Sequence, residues 1–433
     1  MVKNIITKIK KKDFSVCVIG LGYVGLPLAS SFIEKKINVY GIDNDLKKIK
    51  LLRKGKSYIN IKKPKILDYF KKNPKNLSNK YNILKNCDAV IVCLPTPLKK
   101  NSLKPDMSYV FNCARKLANF TKKNQAIILE STVYPGASKK FAQIILKNNL
   151  TLGKDIFLGY SPERENPGDS KFSYLTTPKI VSGFTENCKI IINHVYKVFV
   201  KKTIVVNRIE EAELSKLLEN LYRAVNIGLV NEMKIICEKL KIDIFETIEA
   251  ASTKNFGFQK FLPGPGLGGH CIPIDPFYLS WISKINGYDP KFIKLAGIIN
   301  SEIPRWTINQ IFKRIKKKKA KILLIGVSYK KNVDDDRESP TFKFMEIFNK
   351  KKINYDYHDP YFKKLRKGRN TTRIKYSIRL NKKNLKNYDA TVLLTDHDCL
   401  DFGLIANNSN LIFDTRGRFK KTKYKNYKNI IYN

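Results

Sequence analysis

The chain has 433 residues, of which 43% are apolar and 11% are aromatic. This size and composition predict two to three globular domains of about 150 residues each and exclude disordered, collagenous and low-complexity proteins. Lys and Arg number 83 against 37 Asp and Glu, a net charge of +46 that is typical of proteins binding nucleic acid, anionic membranes or other polyanions.

The distribution of the lysines argues against such a polyanionic partner. They are spread through nearly every segment, together with many Ile, Asn and Tyr residues, as expected from AT-rich coding DNA. Basic stretches such as KKKKAK near residue 316 lack interleaved aromatic residues in a defined motif. We therefore interpret the charge as compositional and expect no nucleic-acid partner.

The lengths of the apolar runs and the spacing of the cysteines indicate the cellular location. No apolar run approaches the roughly 18–20 residues of a membrane helix, and the start, MVKNIITKIKKKDF, lacks the apolar core of a signal peptide. The eight cysteines have no paired spacing, and the run Asp396 to Cys399 resembles metal ligands in composition only, since successive residues rarely converge on one ion. We expect a cytoplasmic protein with packed thiols, no membrane partner and no metal.

The first predicted unit is a strand, turn, helix and strand. An apolar strand over residues 14–20 precedes GLGYVGLPLASSF, which carries glycines at G-x-G-x-x-G spacing, and an acidic residue follows after the next strand. Such a turn lets the backbone approach a pyrophosphate at a helix N-terminus, while the carboxylate accepts hydrogen bonds from ribose and repels a 2′-phosphate. The pattern predicts NAD binding through Gly20, Gly22, Tyr23, Val24, Gly25 and Asp43.

Further strands alternate with helices to about residue 206, which predicts a parallel, doubly wound sheet. Thr96, Thr132 and Glu163 each follow a predicted strand. Ligands bind at the carboxyl ends of strands in such sheets. These three residues are therefore candidates for a site.

Between about residues 207 and 310, the predicted structure changes from alternating strands and helices to mainly helix. EEAELSKLLENLYRAVNIGLVNEMKIICEKL keeps helical periodicity for about 30 residues, long enough to link two domains and to offer a dimer surface. Lys216 and Asn220 are four residues apart and share one face of this helix. From the spacing alone, the alternative interpretation is that the two residues belong to a solvent-exposed polar stripe without a functional role.

A Gly/Pro-rich loop, FLPGPGLGGHCIPIDPFYL, follows the long helix, and its glycines predict close approach of the backbone to another group. Cys271 lies in this loop, shortly before a helix start at Asp275 and Pro276. Helix N-terminal amides and nearby lysines lower a thiol pKa, and a thiolate beside NAD can add to an aldehyde. The alternative is an inert Cys271 with Asp275 as a helix cap.

A second α/β unit begins with KKAKILLIGVSYK at 318–330 and contains Gly326 but no glycine triad. It is expected to bind something other than a dinucleotide, or nothing. The predicted class is α/β, with two Rossmann-like parallel-sheet domains joined by a helical dimerisation domain. The predicted domains are 13–206, 207–312 and 313–433.

An ordered set of motifs spans nearly the whole chain. GLGYVGLPLA, ESTVYPG, SPERENPGD, EAELSKLLEN, PGPGLGGHCIPIDP, SYKKNVDDDRESP and TDHD resemble the nucleotide-sugar 6-dehydrogenases of the UDP-glucose/GDP-mannose dehydrogenase family. Within the family, NFGF and the histidine before the cysteine in GGHCIPIDP are similar to the UDP-N-acetylhexosamine branch, particularly the UDP-N-acetylglucosamine 6-dehydrogenases.

The resemblance implies a role for each candidate residue. Cys271 is implied as the nucleophile, Lys216 and Asn220 as holders of the C6 oxyanion, and Asp275, Thr132 and Glu163 as the residues that place and activate water. Thr96, Thr132 and Arg337 join the implied NAD contacts. The implied substrate contacts are Glu163, Arg164, Lys216, Asn220, Gly266, Gly268 and Lys330.

The implied activity is the NAD-dependent, four-electron oxidation of UDP-N-acetylglucosamine to its uronic acid through a cysteine thioester, as a precursor of surface polysaccharide. UDP-N-acetylgalactosamine, UDP-N-acetylmannosamine and UDP-glucose are alternative substrates. The partners expected are the UDP-sugar and a second copy of the chain. The alternative from another class is a non-catalytic, basic nucleic-acid-binding protein that kept the dinucleotide fold, recognisable by tight, salt-sensitive binding without NADH formation.

Overall fold

A computed structural model describes residues 1–59, 65–99, 102–164, 176–269, 272–315, 317, 319–365 and 374–432. The chain forms two compact units. The first comprises Met1–Glu219 and Phe277–Gly287, and the second comprises Asn220–Pro276 and Tyr288–Asn433. The predicted division into three domains stays a prediction.

The first unit is built on an eight-stranded sheet of order β3-β2-β1-β4-β5-β6-β7-β8. Neighbours from β3 to β6 pair in parallel, and the order reverses between β1 and β4. A crevice for ligands forms at the carboxyl ends of the strands beside such a reversal. The strands are β1 (Ser15–Ile19), β2 (Asn38–Ile42), β3 (Leu77–Ser78), β4 (Ala89–Val92), β5 (Gln125–Leu129), β6 (Ile156–Tyr160), β7 (Lys179–Gly183) and β8 (Thr203–Val205).

Helices cover both faces of this sheet, which explains why β1, β4 and β5 are buried at every residue and do not alternate between apolar and polar side chains. Apart from the first residues of β1 and β5, Ser15 and Gln125, these strands are apolar. Polar N-caps fix several helix starts: Asp45 accepts from the Lys47 amide, and Thr185 accepts from the Cys188 amide. The helices are α1 (Val2–Lys10), α2 (Gly25–Glu34), α3 (Leu46–Arg53), α4 (Lys65–Lys72), α5 (Ser108–Ala118), α6 (Ala137–Ile145) and α7 (Glu186–Lys197).

The predicted parallel direction is wrong for β7, which runs antiparallel to β6 with Tyr160 opposite Ser182. A parallel neighbour needs a crossover connection, usually a helix. The intervening sequence, SPERENPGDSKFSYLTTP, is interrupted by proline and has no helical periodicity. The chain therefore reverses at β7, and β8 follows β7 in parallel through α7.

Helix α1 is not among the predicted elements, because its segment is short and rich in lysine. Ile9 is buried in the core of the first unit, and Val2 and Ile5 pack against it. Their spacing of three and four residues is helical. Lys8 pairs with Asp88 at 2.8 Å, which ties α1 to the amino end of β4.

Two helices continue across the boundary between the units. Helix α8 (Ile209–Leu240) is a continuous helix of 32 residues, as the sequence predicts, and α10 (Asp275–Ile285) begins at the predicted Asp275. The second unit also contains α9 (Ile244–Ala251) and α11 (Lys291–Ile315).

The second unit carries a five-stranded parallel sheet of order β10-β9-β13-β14-β15 and a two-stranded antiparallel ribbon, β11-β12. Ser339 caps α12 (Pro340–Lys350), and Pro340 occupies the first turn of this helix. The predicted α/β class with two such sheets and a helical middle segment is confirmed. The remaining elements are β9 (Lys321–Ile325), α12 (Pro340–Lys350), β10 (Asn354–His358), β11 (Lys364–Leu365), β12 (Lys375–Tyr376), α13 (Lys382–Lys386), β13 (Ala390–Leu393), α14 (Phe402–Asn408), β14 (Ile412–Asp414) and β15 (Ile430–Tyr432).

Candidate active site

The glycine turn of the first unit lies between β1 and α2, as predicted. Gly20 has φ +93°, and a Cβ there would stand 2.4 Å from the carbonyl oxygen of Cys93. A Cβ at Gly25 would stand 1.9 Å from the carbonyl oxygen of Gly20, so the helix can start this close to the strand only with glycine. Around Gly22, no heavy atom of the described chain other than those of Gly22 and its two chain neighbours lies within 4 Å of the Cβ position. The turn is tight at its base and open above Gly22, where a pyrophosphate needs room.

Asp43 lies at the end of β2 with its carboxylate directed to this turn. Its Oδ2 accepts from the Leu21 amide at 3.0 Å and from Lys48 at 3.2 Å, and its Oδ1 accepts from the Asp45 amide at 2.9 Å. The amide contact fixes the acid beside the glycine turn. Tyr23 and Val24, in the same turn, are half-buried.

These observations fit the dinucleotide that the sequence predicts. The pyrophosphate would lie in the open position above Gly22, at the N-terminus of α2. The adenosine ribose would be held by the fixed carboxylate of Asp43. Thr96 follows β4 and is buried, with its carbonyl accepting from the hydroxyl of Tyr278. Thr132 follows β5 and is half-buried.

The structure brings Glu163 and Lys216 together. Glu163 follows β6, Lys216 lies in α8, and a distance of 3.7 Å separates the ammonium nitrogen from Oε2 of the carboxylate. Their side chains are only 13% and 7% exposed, respectively, so the pair is largely shielded from water and its interaction is stronger than that of a surface pair. Arg164 pairs with Glu219 of the same helix at 2.7 Å.

A carboxylate that sequence reasoning missed fastens α8 to the loop after Thr132. Glu213 is fully buried and accepts from the amides of Gly136 and Ser138 at 2.6 and 2.8 Å, which satisfies the N-terminus of α6. Gly136 has φ +92°, a conformation that favours glycine at this turn. The motif EAELSK contains this residue, but nothing in its spacing distinguishes a cap from a surface acid.

The pH dependence of stability follows from Glu213. Burial raises its pKa to about 7, although the two amides oppose the shift. The folded chain therefore binds more protons at this site than the unfolded chain between pH 4.5 and 7, so the stabilising contribution is complete below about 4.5 and is lost as the pH rises through 7. We expect urea denaturation to show wild type losing about 2–3 kcal/mol relative to Glu213→Gln between pH 5 and 8. The exposed Glu211→Gln is the control, and parallel pH profiles for wild type and Glu213→Gln would contradict the assignment.

Asn220 and Asp275 also lie in contact, and their implied chemical roles stay predictions. Both are buried, and the amide of Asn220 donates to Oδ2 of Asp275 at 2.6 Å. Asp275 is the first residue of α10, where a carboxylate is favoured by the helix dipole. Asn220 follows Lys216 by one turn of α8.

Cys271 lies outside the described residues, so its role stays a prediction. The loop before it is described to Gly269 and packs closely on its own unit. A Cβ at Gly268 would stand 2.8 Å from Cβ of Tyr329, and Gly266 has φ +135°. The Gly269 amide donates to the carbonyl of Arg337 at 3.0 Å. Packing therefore explains the need for glycine at 268, and substrate contact at Gly266 and Gly268 stays a prediction.

Lys330 and Arg337 lie in the loop after β9 of the second unit, and their implied contacts also stay predictions. Arg337 makes a bidentate ion pair with Asp335, in which Nε donates to Oδ1 and Nη2 donates to Oδ2. His397 supports the loop: its Nδ1 accepts from the Asn332 amide at 2.9 Å, and its Nε2 lies 3.2 Å from Asp359.

Within the described ranges, no group of three or more His, Cys, Asp or Glu residues is arranged to hold a metal ion. The cysteines there are free, and five of the seven are buried; Cys93 is half-buried and Cys399 is exposed. None of the helices in the described part of the chain combines the length and apolar character that a bilayer crossing requires.

The glycine turn, the acid at the end of β2 and the reversal of strand order define a dinucleotide-binding protein of the Rossmann class. The chain belongs to the UDP-glucose/GDP-mannose dehydrogenase family. The family's NAD-binding domain matches residues 14–200, its central domain matches 210–302, and its UDP-binding domain matches 323–421.

Individual relatives cover most of the chain. It is 33% identical to a UDP-N-acetyl-D-mannosamine dehydrogenase of Methanococcus vannielii over 90% of this chain and 87% of the relative. It is 34% identical to a UDP-N-acetyl-D-glucosamine 6-dehydrogenase of Pseudomonas aeruginosa over 81% of this chain and 83% of that protein. The solved structure of a UDP-D-ManNAc dehydrogenase from Pyrococcus horikoshii has a TM-score of 0.84 at 29% identity and covers 94% of this chain and 96% of the other.

Proposed function

We propose that this chain oxidises the C6 alcohol of a UDP-N-acetylhexosamine to the carboxylate, with two NAD consumed for each sugar. The observation that carries the proposal is the shielded Glu163–Lys216 pair, with its nitrogen 3.7 Å from the carboxylate oxygen at the carboxyl edge of the first sheet. An ammonium held in a low-dielectric site stabilises the oxygen that becomes anionic at C6. The neighbouring carboxylate is suited to orient and deprotonate water.

The proposed reaction has three stages. NAD, when bound at the glycine turn, accepts the hydride in both oxidations. The first oxidation removes a hydride from C6 and releases the hydroxyl proton to solvent, which leaves the C6 aldehyde. The Cys271 thiolate adds to this aldehyde as a thiohemiacetal, and loss of the second hydride leaves a thioester. Water oriented by Glu163, Thr132 and Asp275 then cleaves the carbon–sulfur bond, which releases the acid and regenerates the thiolate. Lys216 and Asn220 hold the C6 oxygen throughout.

The names of the relatives favour a UDP-N-acetylhexosamine as the substrate, and two of the three cited relatives favour the mannosamine epimer. The Methanococcus and Pyrococcus proteins are named for UDP-N-acetylmannosamine, which we propose as the preferred substrate. UDP-N-acetylglucosamine, the substrate implied by GGHCIPIDP, is the second candidate, and the Pseudomonas relative favours it. The product is proposed to be a precursor of surface polysaccharide.

A substrate panel tests this proposal. Purified protein is incubated with NAD and, separately, with the UDP-linked mannosamine, glucosamine and galactosamine N-acetyl sugars, UDP-glucose and GDP-mannose, and NADH absorbance is followed. We expect the highest kcat/KM with UDP-N-acetylmannosamine, whereas a maximum with UDP-N-acetylglucosamine would favour the second candidate. Values at least about tenfold lower are expected with UDP-glucose, since the site loses the contacts of the acetamido group. A preference for UDP-glucose or GDP-mannose, or no NADH with any sugar, would contradict it.

We also propose that two copies of the chain associate through helices of the second unit. Gly228 in α8 packs on α11, since a Cβ there would stand 3.5 Å from Ala296, and Asn231 donates to Asn300 at 2.9 Å. Helical stripes of large apolar side chains nevertheless remain exposed. They comprise Leu229, Met233, Ile236 and Leu240 in α8 and Phe292, Leu295 and Ile298 in α11. Clusters of exposed apolar side chains are typical of an interface.

Changing Ile236 to lysine tests the dimer. In a two-fold interface the charge enters twice, so we expect the dissociation constant to rise at least about tenfold and light scattering on a sizing column to shift toward the monomer mass. Ile190→Lys, an equally exposed isoleucine in α7 of the first unit, is the matched control. Unchanged association of Ile236→Lys, or a wild-type monomer, would contradict the proposed interface.

A further inference from the structure

The first unit contains a buried ion pair that the proposed chemistry does not use. Glu130 follows β5, Lys179 begins β7, and 2.9 Å separates the ammonium nitrogen from Oε1. Their side chains are 0% and 2% exposed, respectively. Both charges are therefore removed from water, which costs several kcal/mol per ion before the pair forms.

Two further side chains complete the surroundings of this pair. The hydroxyl of Tyr196 donates to Oε1 of Glu130 at 2.5 Å, and Lys179 lies 4.9 Å from the centre of the same tyrosine ring. The thiol of Cys93 lies 4.0 Å from Oε2. Burial raises the thiol pKa well above its ordinary value, and Glu130 and Glu163 add to the shift. The thiol is thus a neutral donor toward the carboxylate.

Stability alone is a weak reason for such a pair, because well-packed apolar side chains of similar volume are often as stable or more so. The pair instead restricts the conformation of the segments that carry it. A buried carboxylate and ammonium with satisfied hydrogen bonds permit few alternative arrangements of the segments that carry them.

Those segments are the ones that carry Thr132 and Glu163. Lys179 donates to the carbonyl of Pro162 at 3.0 Å, directly before Glu163. In return, Arg164 donates to the carbonyl of Pro178 at 2.8 Å, directly before Lys179. The peptide that bears Glu163 is therefore held on both sides.

The reversed strand makes this contact possible. Because β7 runs antiparallel to β6, its first residue, Lys179, stands at the edge of the sheet where β6 ends. A parallel β7 would start at the opposite edge. Glu130 reaches the same edge from β5 and is followed directly by Ser131, whose hydroxyl accepts from the Leu94 amide at 2.8 Å, and by Thr132.

We propose that the Glu130–Lys179 pair is a positioning device, which fixes the peptides of Glu163 and Thr132 so that both side chains address the water that cleaves the thioester. The inference rests on the proposed function. Neither residue of the pair touches the reacting atoms. Loss of the pair is expected to slow hydrolysis of the thioester more than either oxidation.

The main test is the double variant Glu130→Gln/Lys179→Met, which removes both buried charges together and keeps the side-chain volumes, so that no isolated charge is left in the core. We expect kcat to fall about 10- to 100-fold, as for small displacements of a catalytic group, with KM changed less than about threefold. Intact-protein mass during turnover is expected to show an accumulated sugar adduct. Lys8→Met, which breaks the Lys8–Asp88 pair at the amino edge of the same sheet, is the matched control.

The outcomes separate positioning from a merely structural role. A structural role lowers the urea midpoint and the number of active sites, counted by the NADH burst, but leaves kcat per site and the adduct level unchanged, and this result would overturn the inference. Should the double variant not fold, Tyr196→Phe, which loses one hydrogen bond to Glu130, decides the question: kcat reduced several-fold with adduct present supports the inference, and unchanged kcat overturns it. A wild-type protein that makes no acid contradicts the proposed function itself, whatever the variants do.

Discussion

Replacing Cys271 by alanine is expected to abolish formation of the uronic acid, with a fall in turnover of at least about 10³-fold. Without the thiolate the aldehyde has no covalent acceptor, and alcohol oxidation by NAD is uphill at neutral pH, so the first oxidation reverses. Acid formation, followed by anion-exchange chromatography of the nucleotide sugars, is the measurement. NADH absorbance alone is insufficient, since a trace of aldehyde also yields NADH.

The matched control for this variant is Cys399→Ala, which removes an exposed thiol of the second unit. Wild-type turnover is expected for it. Acid formation by Cys271→Ala at more than a tenth of the wild-type rate would contradict the covalent mechanism.

The second-largest expected effect belongs to Lys216. Changing it to methionine keeps the length of the side chain and removes the charge next to Glu163. We expect kcat to fall about 10²- to 10³-fold, the usual consequence of losing a donor to a developing oxyanion. KM for the sugar is expected to change little, because the C6 oxygen becomes anionic only in the transition state.

Lys239→Met is the control for this prediction, since it removes an exposed lysine from the same helix. A fall in sugar affinity at unchanged kcat in Lys216→Met would show that Lys216 serves ground-state binding, and would contradict its role at the C6 oxygen.

Elements with a regular pattern of apolar residues, or with positions where only glycine fits the backbone, were predictable from the sequence. The run FSVCVIG gives a buried strand, and the glycines after it are needed because a Cβ at Gly20 or Gly25 would meet backbone oxygen. Helix α8 follows from about 30 residues of uninterrupted apolar periodicity. In each case one local pattern decides the structure.

Features that depend on distant partners were not predictable. The direction of β7 depends on the connection from β6, and the burial of Ile9 depends on a core that the sequence near residue 9 does not reveal. Lys179 is one of 83 basic residues, and nothing local marks it as the partner of Glu130.

The same distinction holds for the candidate site. The resemblance assigns Glu163, Lys216, Asn220 and Asp275 to one site without pairing them. The structure has the Glu163–Lys216 and Asn220–Asp275 contacts, and the chemical roles of the four residues stay predictions. The sequence gives no signal for Glu213 as the cap of α6, because capping by a residue about 75 positions away is a property of packing.

The most direct test of the account is the ratio of NADH to uronic acid formed by the wild-type protein from the best sugar of the panel. The account predicts two NADH for each acid, with free aldehyde absent from the medium. One NADH for each product, with the aldehyde released, would contradict a thioester on Cys271 and with it the four-electron oxidation.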